Sequence, residues 1–269
     1  MNKWHLILIL GFLLGGCRES AKPADPPSVG ESRKWTPRYA KGFAVDSTAG
    51  GAVYLTVHKP WPGATRSYRY ALLPREATGP GQYEKDSVDG IIRVPVRRVI
   101  LTSTTHIPSL ETLGMEDRLV GFPGLDYISS PATRRRIESG GVRELGANEQ
   151  LNTERVLSLQ PDLVVGFGVS GAPDAYQALE ASGIPLVYNA DWMEEAPLGK
   201  AEWIVFFGLL LGETEGALEA FKKVEEAYLE ARQLASGGAR TRSVLSGALY
   251  RAVWYLPAGD SWAAQFFRD

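Results

Sequence analysis

The chain has 269 residues, with 29 Lys and Arg against 31 Asp and Glu and a hydrophobic share of 44%. That length accommodates one large or two modest domains, and the near-balanced charge leaves no basic stripe of the kind a nucleic-acid partner requires. Cys17 is the single cysteine, so no disulfide framework and no cysteine metal site is available, and the chain must hold together through its core.

In chain order, Lys3 precedes an apolar run from Leu6 to Leu14, which leads into Gly15, Gly16 and Cys17. A basic start, a short apolar core and small residues before a cleavage point describe an export signal. The run is too short to span a bilayer as an ordinary helix, which needs about 20 residues. Leu14-Gly15-Gly16-Cys17 also resembles a bacterial lipobox, which implies that Cys17 is lipidated and becomes the mature N-terminus. The alternative, a thiol buried in a core, sits poorly with the polar, Pro-rich residues that follow. Residues 18–42 read as a tether, with Pro23, Pro26 and Pro27 and no hydrophobic period. Residues 43–94 carry short β-branched and aromatic runs at Phe43, at Val53 to Val57, at Tyr68 to Leu73 and at Gly90 to Val94. This pattern predicts a small antiparallel β-rich extension with Tyr68 and Tyr70 on one face and Arg69 on the other.

From residue 95 the rhythm becomes βα. Strands are predicted at 99–103, 119–121, 162–166 and 184–188, and helices at 107–113, 131–139, 152–157 and 172–182. Strands separated by helices of this length favour a mostly parallel sheet with helical faces. Within 198–236, Trp203, Phe206, Phe207, Leu210, Leu218, Phe221, Val224 and Leu229 recur mainly at helical spacing, which predicts a long helix divisible at Gly212, with Thr214 capping its second part. Strand-like residues 244–256 and a helix from Trp262 follow. Trp262, Phe266 and Phe267 have few later elements to bury them, which favours a chain that stops inside a domain.

Several stretches together resemble one family. Arg97-Arg98-Val99-Ile100-Leu101 opens the βα region. Leu113-Gly114-Met115-Glu116-Asp117-Arg118-Leu119-Val120-Gly121 makes a helix-to-strand step. Asn152, Glu154 and Pro161-Asp162-Leu163-Val164 form the next segment, followed by Gly183-Ile184-Pro185-Leu186-Val187-Tyr188 and then by the long helix. In this order, behind a lipobox, they resemble the iron-siderophore and vitamin B12 class of periplasmic substrate-binding proteins that serve ABC importers. The resemblance implies an α/β, two-lobed periplasmic binding protein fold. The first lobe spans 95–197, a long rigid inter-lobe helix 198–236, and an incomplete second lobe 237–269. It implies no enzyme activity and no cofactor. The implied partners are an ABC permease, an iron chelate, haem or corrinoid ligand, and the membrane through a lipid anchor, at the cell envelope. The rival readings are a membrane-anchored enzyme or an adaptor on the same fold. No GxSxG elbow, phosphate-binding glycine loop or metal-ligand spacing supports the enzyme.

The resemblance makes Glu154 a permease-docking residue that pairs with an arginine. A carboxylate early in a helix also suits the N-terminal dipole, so simple first-turn chemistry remains the alternative. Ligand contacts are expected in loops after the carboxyl ends of the parallel strands. Those loops offer His106, Tyr127, Phe167 and Trp192, and the second lobe adds Arg251 and Trp254. Tyr127 and Trp192 are the preferred stacking contacts, and Arg251 suits an anionic chelate. Interface packing competes for Trp192, a loop anchor for Phe167 and a helix-start role for His106. Arg134-Arg135-Arg136 reads as a solvated helix face.

Overall fold

The computed structural model describes residues 34–48, 52–76, 87–237 and 243–269. The leader, Cys17 and the first part of the expected tether lie outside the described residues. Among the described residues no helix is long and apolar enough to cross a membrane.

The N-terminal layer is a five-stranded sheet of β1 (Lys34–Trp35), β2 (Phe43–Ser47), β3 (Val53–Val57), β4 (Tyr68–Pro74) and β5 (Gly90–Val94), in that spatial order. Its pairs are antiparallel except β4 with β5, which run parallel, so the sheet departs from the purely antiparallel arrangement expected. Alternation along β2 turns Phe43, Val45 and Ser47 inward. Tyr70 is buried on one face of β4, while Arg69 on the other reaches Asp46 at 2.9 Å and covers the Tyr54 ring. The layer is not a separate appendage. Phe43, Leu55, Tyr70 and Ile92 enter the same hydrophobic core as the βα region, because five short strands bury too little apolar surface alone.

The βα region builds a second five-stranded sheet. Its strands are β6 (Val99–Leu101), β7 (Leu119–Phe122), β8 (Arg143–Glu144), β11 (Leu163–Gly166) and β12 (Leu186–Tyr188). Every pair is parallel, in the order β12-β11-β6-β7-β8. β11 is buried along its whole length, as expected for a central strand covered on both faces. Helices α1 (Ile107–Thr112), α2 (Pro131–Glu138), α3 (Thr153–Leu159) and α4 (Asp174–Ala181) are the crossovers. A small hairpin of β9 (Gly146–Ala147) and β10 (Gln150–Leu151) precedes α3.

The expected long helix is three helices: α5 (Pro197–Glu202), α6 (Ile204–Leu211) and α7 (Thr214–Ser236). Gly212 ends α6 at φ 78°, and a Cβ there would meet Pro95 Cβ at 2.9 Å. Only glycine suits both the left-handed turn and the close approach. Thr214 is the first helical residue rather than a cap; Glu213 precedes it with no side-chain cap bond. Trp203, Phe206, Phe207 and Leu210 are buried, but Val224 is exposed. At 1.5 Å per residue the 23 residues of α7 run about 35 Å. Ala217, Phe221 and Glu225 are its buried residues, at four-residue intervals on one face, so its second half projects from the core.

Two buried carboxylates tie the chain's start to these helices. Glu202 accepts the N–H groups of Arg38, Tyr39 and Ala40 at 2.9, 2.7 and 2.9 Å. Glu194 accepts those of Lys41 and Gly42 and the Trp203 indole N–H, each at 2.9 Å. Arg38 and the Tyr39 hydroxyl also bind Glu225. Residues 34–42, expected to belong to the tether, are therefore part of the folded body, because these carboxylates satisfy their backbone donors.

The last described elements are a hairpin of β13 (Ala248–Tyr250) and β14 (Val253–Tyr255), which pair with each other, and helix α8 (Trp262–Arg268). α8 lies against α5, and its end meets α7, where the Tyr228 hydroxyl donates to Asp269 Oδ2 at 2.7 Å.

Candidate functional site

The chain steps from β6 to β7 to β8 in one direction, then returns to lay β11 and β12 on the other side of β6. The loops after β6 and β11 thus diverge, and a crevice opens at the carboxyl ends of the strands, where ligands of open α/β sheets bind.

Its floor is pinned by Tyr176 of α4. The Tyr176 hydroxyl donates to Asn148 Oδ1 at 2.7 Å and lies 3.1 Å from the Thr102 hydroxyl, which joins the loops after β6 and β8. Burial drives the Tyr176 pKa up to about 12, against the opposing hydrogen bonds from Thr102, Phe167 and Asn148, so the phenol stays neutral. Gly166 ends β11 beneath this ring, where a Cβ would meet Tyr176 Cε2 at 2.6 Å.

On the loop after β6, Ser103 Oγ accepts the Thr105 N–H at 3.3 Å and starts a short turn. This turn leaves Thr104 and Thr105 exposed. On the loop after β7, the Glu144 carboxylate accepts the N–H groups of Gly124, Leu125, Leu145 and Gly146 at 2.8 to 2.9 Å. Burial opposes ionisation of Glu144, but these four donors together hold its pKa below the usual glutamate value. Arg134 Nη1 donates to Leu125 O at 2.9 Å, and Arg136 Nη2 to Asp117 O at 2.9 Å. Two of the three arginines read as a solvated face therefore brace loops. The braced loop presents Tyr127, which is 79% exposed. Thr104, Thr105, Pro108, Tyr127 and Ile128 line one depression of about 260 Å³.

Across Thr105 lies a second depression of about 330 Å³, lined by Asp191, Lys200, Ile204, Phe221 and Val224 among others. The Thr105 hydroxyl donates to Asp191 Oδ1 at 3.2 Å, and Lys200 Nζ donates to Asp191 O at 3.0 Å. Burial lowers the Lys200 pKa, with Asp191 and Glu194 opposing the shift.

The candidate residues separate by position. Tyr127 sits at the rim. Phe167 is half-buried after β11, its carbonyl 3.3 Å from the Tyr176 hydroxyl. Trp192 is half-buried after β12, and its indole N–H is buried without a partner among the described residues. His106 is corrected: its ring is fully buried under the crevice, 5.5 Å from the Phe207 ring, at the N-cap of α1. Burial lowers its pKa, so it is neutral at pH 7 and has no surface to offer a ligand. Arg251 occupies the β13–β14 turn at φ 48°, and Trp254 lies exposed on β14; among the described residues that hairpin pairs with no other strand. Glu154 stands exposed in the first turn of α3, capped by Asn152, with no hydrogen bond or ion pair of its own among the described residues. Sequence reasoning missed Tyr176 and Glu144, which no local pattern marks.

Residues 99–269, more than half of the chain, match the family described as periplasmic binding protein. The chain belongs to this family. Its members are substrate-binding proteins, not enzymes. An uncharacterized lipoprotein of Methanocaldococcus jannaschii is 23% identical over 183 residues, covering 65% of this chain and 44% of that protein. Among solved structures, the siderophore binding protein BauB, bound to a complex between two molecules of acinetobactin and ferric iron, is 19% identical. That match covers 64% of this chain and 59% of BauB, with a TM-score of 0.50. A periplasmic heme binding protein from Pseudomonas aeruginosa is 20% identical, over 56% of this chain and 50% of that one, with a TM-score of 0.45. At these identities the likeness to BauB is one of fold. The chain spans about half the length of the relatives it matches.

Proposed function

We propose that this member of the periplasmic binding protein family is the lipid-anchored substrate-binding component of an ABC importer at the cell envelope. It captures an iron-siderophore, haem or cobalamin-like ligand at the crevice and hands it to the permease. The observation that carries this reading is the braced loop of Tyr127 opposite Thr104 and Thr105 at the carboxyl edge of the parallel sheet. An exposed aromatic ring beside hydroxyl donors suits a large flat or chelated ligand. Glu154, exposed and unpaired at a helix start, suits a charge-assisted contact with a permease arginine. Cys17, with the residues up to the first strand as a leash, would keep the carrier near the membrane. No covalent step is needed, since a ligand shifts the protein between conformations only as far as it favours one.

The test is a titration of the purified chain with ferric siderophores, haem and cobalamin, followed by intrinsic tryptophan fluorescence. Saturable binding of one class is expected, weakened by about tenfold in Tyr127→Ala through loss of one stacking contact. Absence of binding by a folded sample to all three classes refutes the transport reading. Uptake and permease docking that are unchanged in Glu154→Ala would remove Glu154 from the mechanism.

A further inference from the structure

One cavity lies away from the crevice, at the seam between the N-terminal sheet and the α4–β12 edge of the lobe. Its volume is about 550 Å³, within the roughly 300–1,000 Å³ of small-molecule sites. Arg66, Tyr68 and Asp89 come from the N-terminal layer, and Glu180 and Tyr188 from the lobe. The family match begins at residue 99, so the part of this wall that the N-terminal layer supplies lies outside it.

The charges do not balance within the cavity. Arg66 is already committed, ion-paired to Asp89 and stacked 4.0 Å from the Tyr68 ring centroid. Glu180 has no hydrogen bond or ion pair among the described residues. Burial raises its pKa, the Asp89 charge adds to the shift, and Arg66 offsets only part of it. Tyr188 lines the same cavity, and its hydroxyl also makes no hydrogen bond among the described residues. Burial, then the charge of Glu180, pushes the phenol pKa upward, which places the two groups within each other's field. The rings of Tyr68 and Tyr188 meet edge to face at 4.7 Å and line the same space.

We infer that this seam cavity is a second ligand site, which binds a small organic cation through an ammonium or guanidinium group. Such a group donates hydrogen bonds to the Glu180 carboxylate and the Tyr188 hydroxyl oxygen, and it lies against the tyrosine faces. An anion would meet two carboxylates. A metal ion finds no group of three or more His, Cys, Asp or Glu side chains among the described residues.

The experiment titrates the full chain at neutral pH with n-butylammonium and with n-propylguanidinium by calorimetry, and with 1-pentanol as a neutral isostere. Saturable binding of at least one cation is expected, with a dissociation constant near the millimolar range. Glu180→Gln should weaken it by about tenfold and Tyr188→Phe by about threefold, while Tyr127→Ala leaves it unchanged. Glu180 lies on the exposed side of α4, so its variant should keep the wild-type melting temperature. Any one of three results overturns the inference: no saturable binding of either cation up to about 20 mM, equal binding of 1-pentanol, or undiminished binding by Glu180→Gln. Loss of cation binding in Tyr127→Ala would instead place the ligand in the crevice and overturn the seam assignment.

Discussion

Glu202→Ala tests how the N-terminal layer is held. Glu202 is 2% exposed, and its two oxygens receive three backbone N–H groups from residues 38–40, more than 160 positions earlier in the chain. Hydrogen bonds to a charged acceptor contribute about 1.5–3 kcal/mol each, and an abandoned buried donor costs about 1–3 kcal/mol. The three donors share one carboxylate, and Arg38 is partly reached by water, so the sum falls below three full terms. A loss of about 3–5 kcal/mol follows. For a domain of this size 1 kcal/mol lowers Tm by about 2–4 °C, which predicts a fall of roughly 6–20 °C. Glu202→Gln keeps an acceptor for the Tyr39 and Ala40 donors but turns an NH₂ toward Arg38, so it should lose about 1–2 kcal/mol. Urea unfolding gives the free energies, and hydrogen exchange at the amides of residues 38–42 localises the effect. A Tm within about 2 °C of wild type for Glu202→Ala, with those amides still protected, would refute the carboxylate clamp.

The pH dependence of stability carries a term from Glu144, whose folded-state pKa lies below its ordinary 4.5. The unfolded state then binds its proton more readily, so the stabilisation is fully present above about pH 4.5 and is lost as pH falls through the folded-state pKa. Glu144→Gln should flatten this acid limb in denaturant titrations between about pH 3 and 6, relative to wild type. Gly212→Ala must hold a side chain at φ 78° against Pro95 Cβ, and a loss of about 1–3 kcal/mol in urea unfolding is expected. His106→Gln removes a neutral ring from under the crevice; it should lower stability by about 1–3 kcal/mol without changing the stoichiometry of ligand binding in a fluorescence titration.

The βα order was legible because β6, β7, β11 and β12 are continuous apolar runs and the crossovers carry their own stops, as at Gly140 and Gly183. The parallel sheet and its carboxyl-edge loops followed from that rhythm. What escaped notice depends on partners distant in sequence. Nothing near Glu194 or Glu202 shows that they accept backbone donors from residues 38–42, and so the Pro-rich start reads as a tether through residue 42, whereas residues 34–42 belong to the folded body. The two-residue strands β8, β9 and β10 are too short to carry any period. His106 looked like a loop residue because its burial comes from Phe207, about 100 positions later. The break at Trp203 leaves no propensity signal, since the apolar spacing continues through it.

One contact between the two layers also bears on solubility. β12 is the outermost strand of the parallel sheet, and its outward Tyr188 N–H donates to the Tyr70 hydroxyl at 3.3 Å. An open strand edge is a template on which other chains can add strands and aggregate. Here a phenol from a different sheet occupies that edge in place of a further strand. Weakening the grip on residues 34–42 would expose this edge, so variants such as Glu202→Ala should aggregate during refolding before they lose the parallel sheet itself.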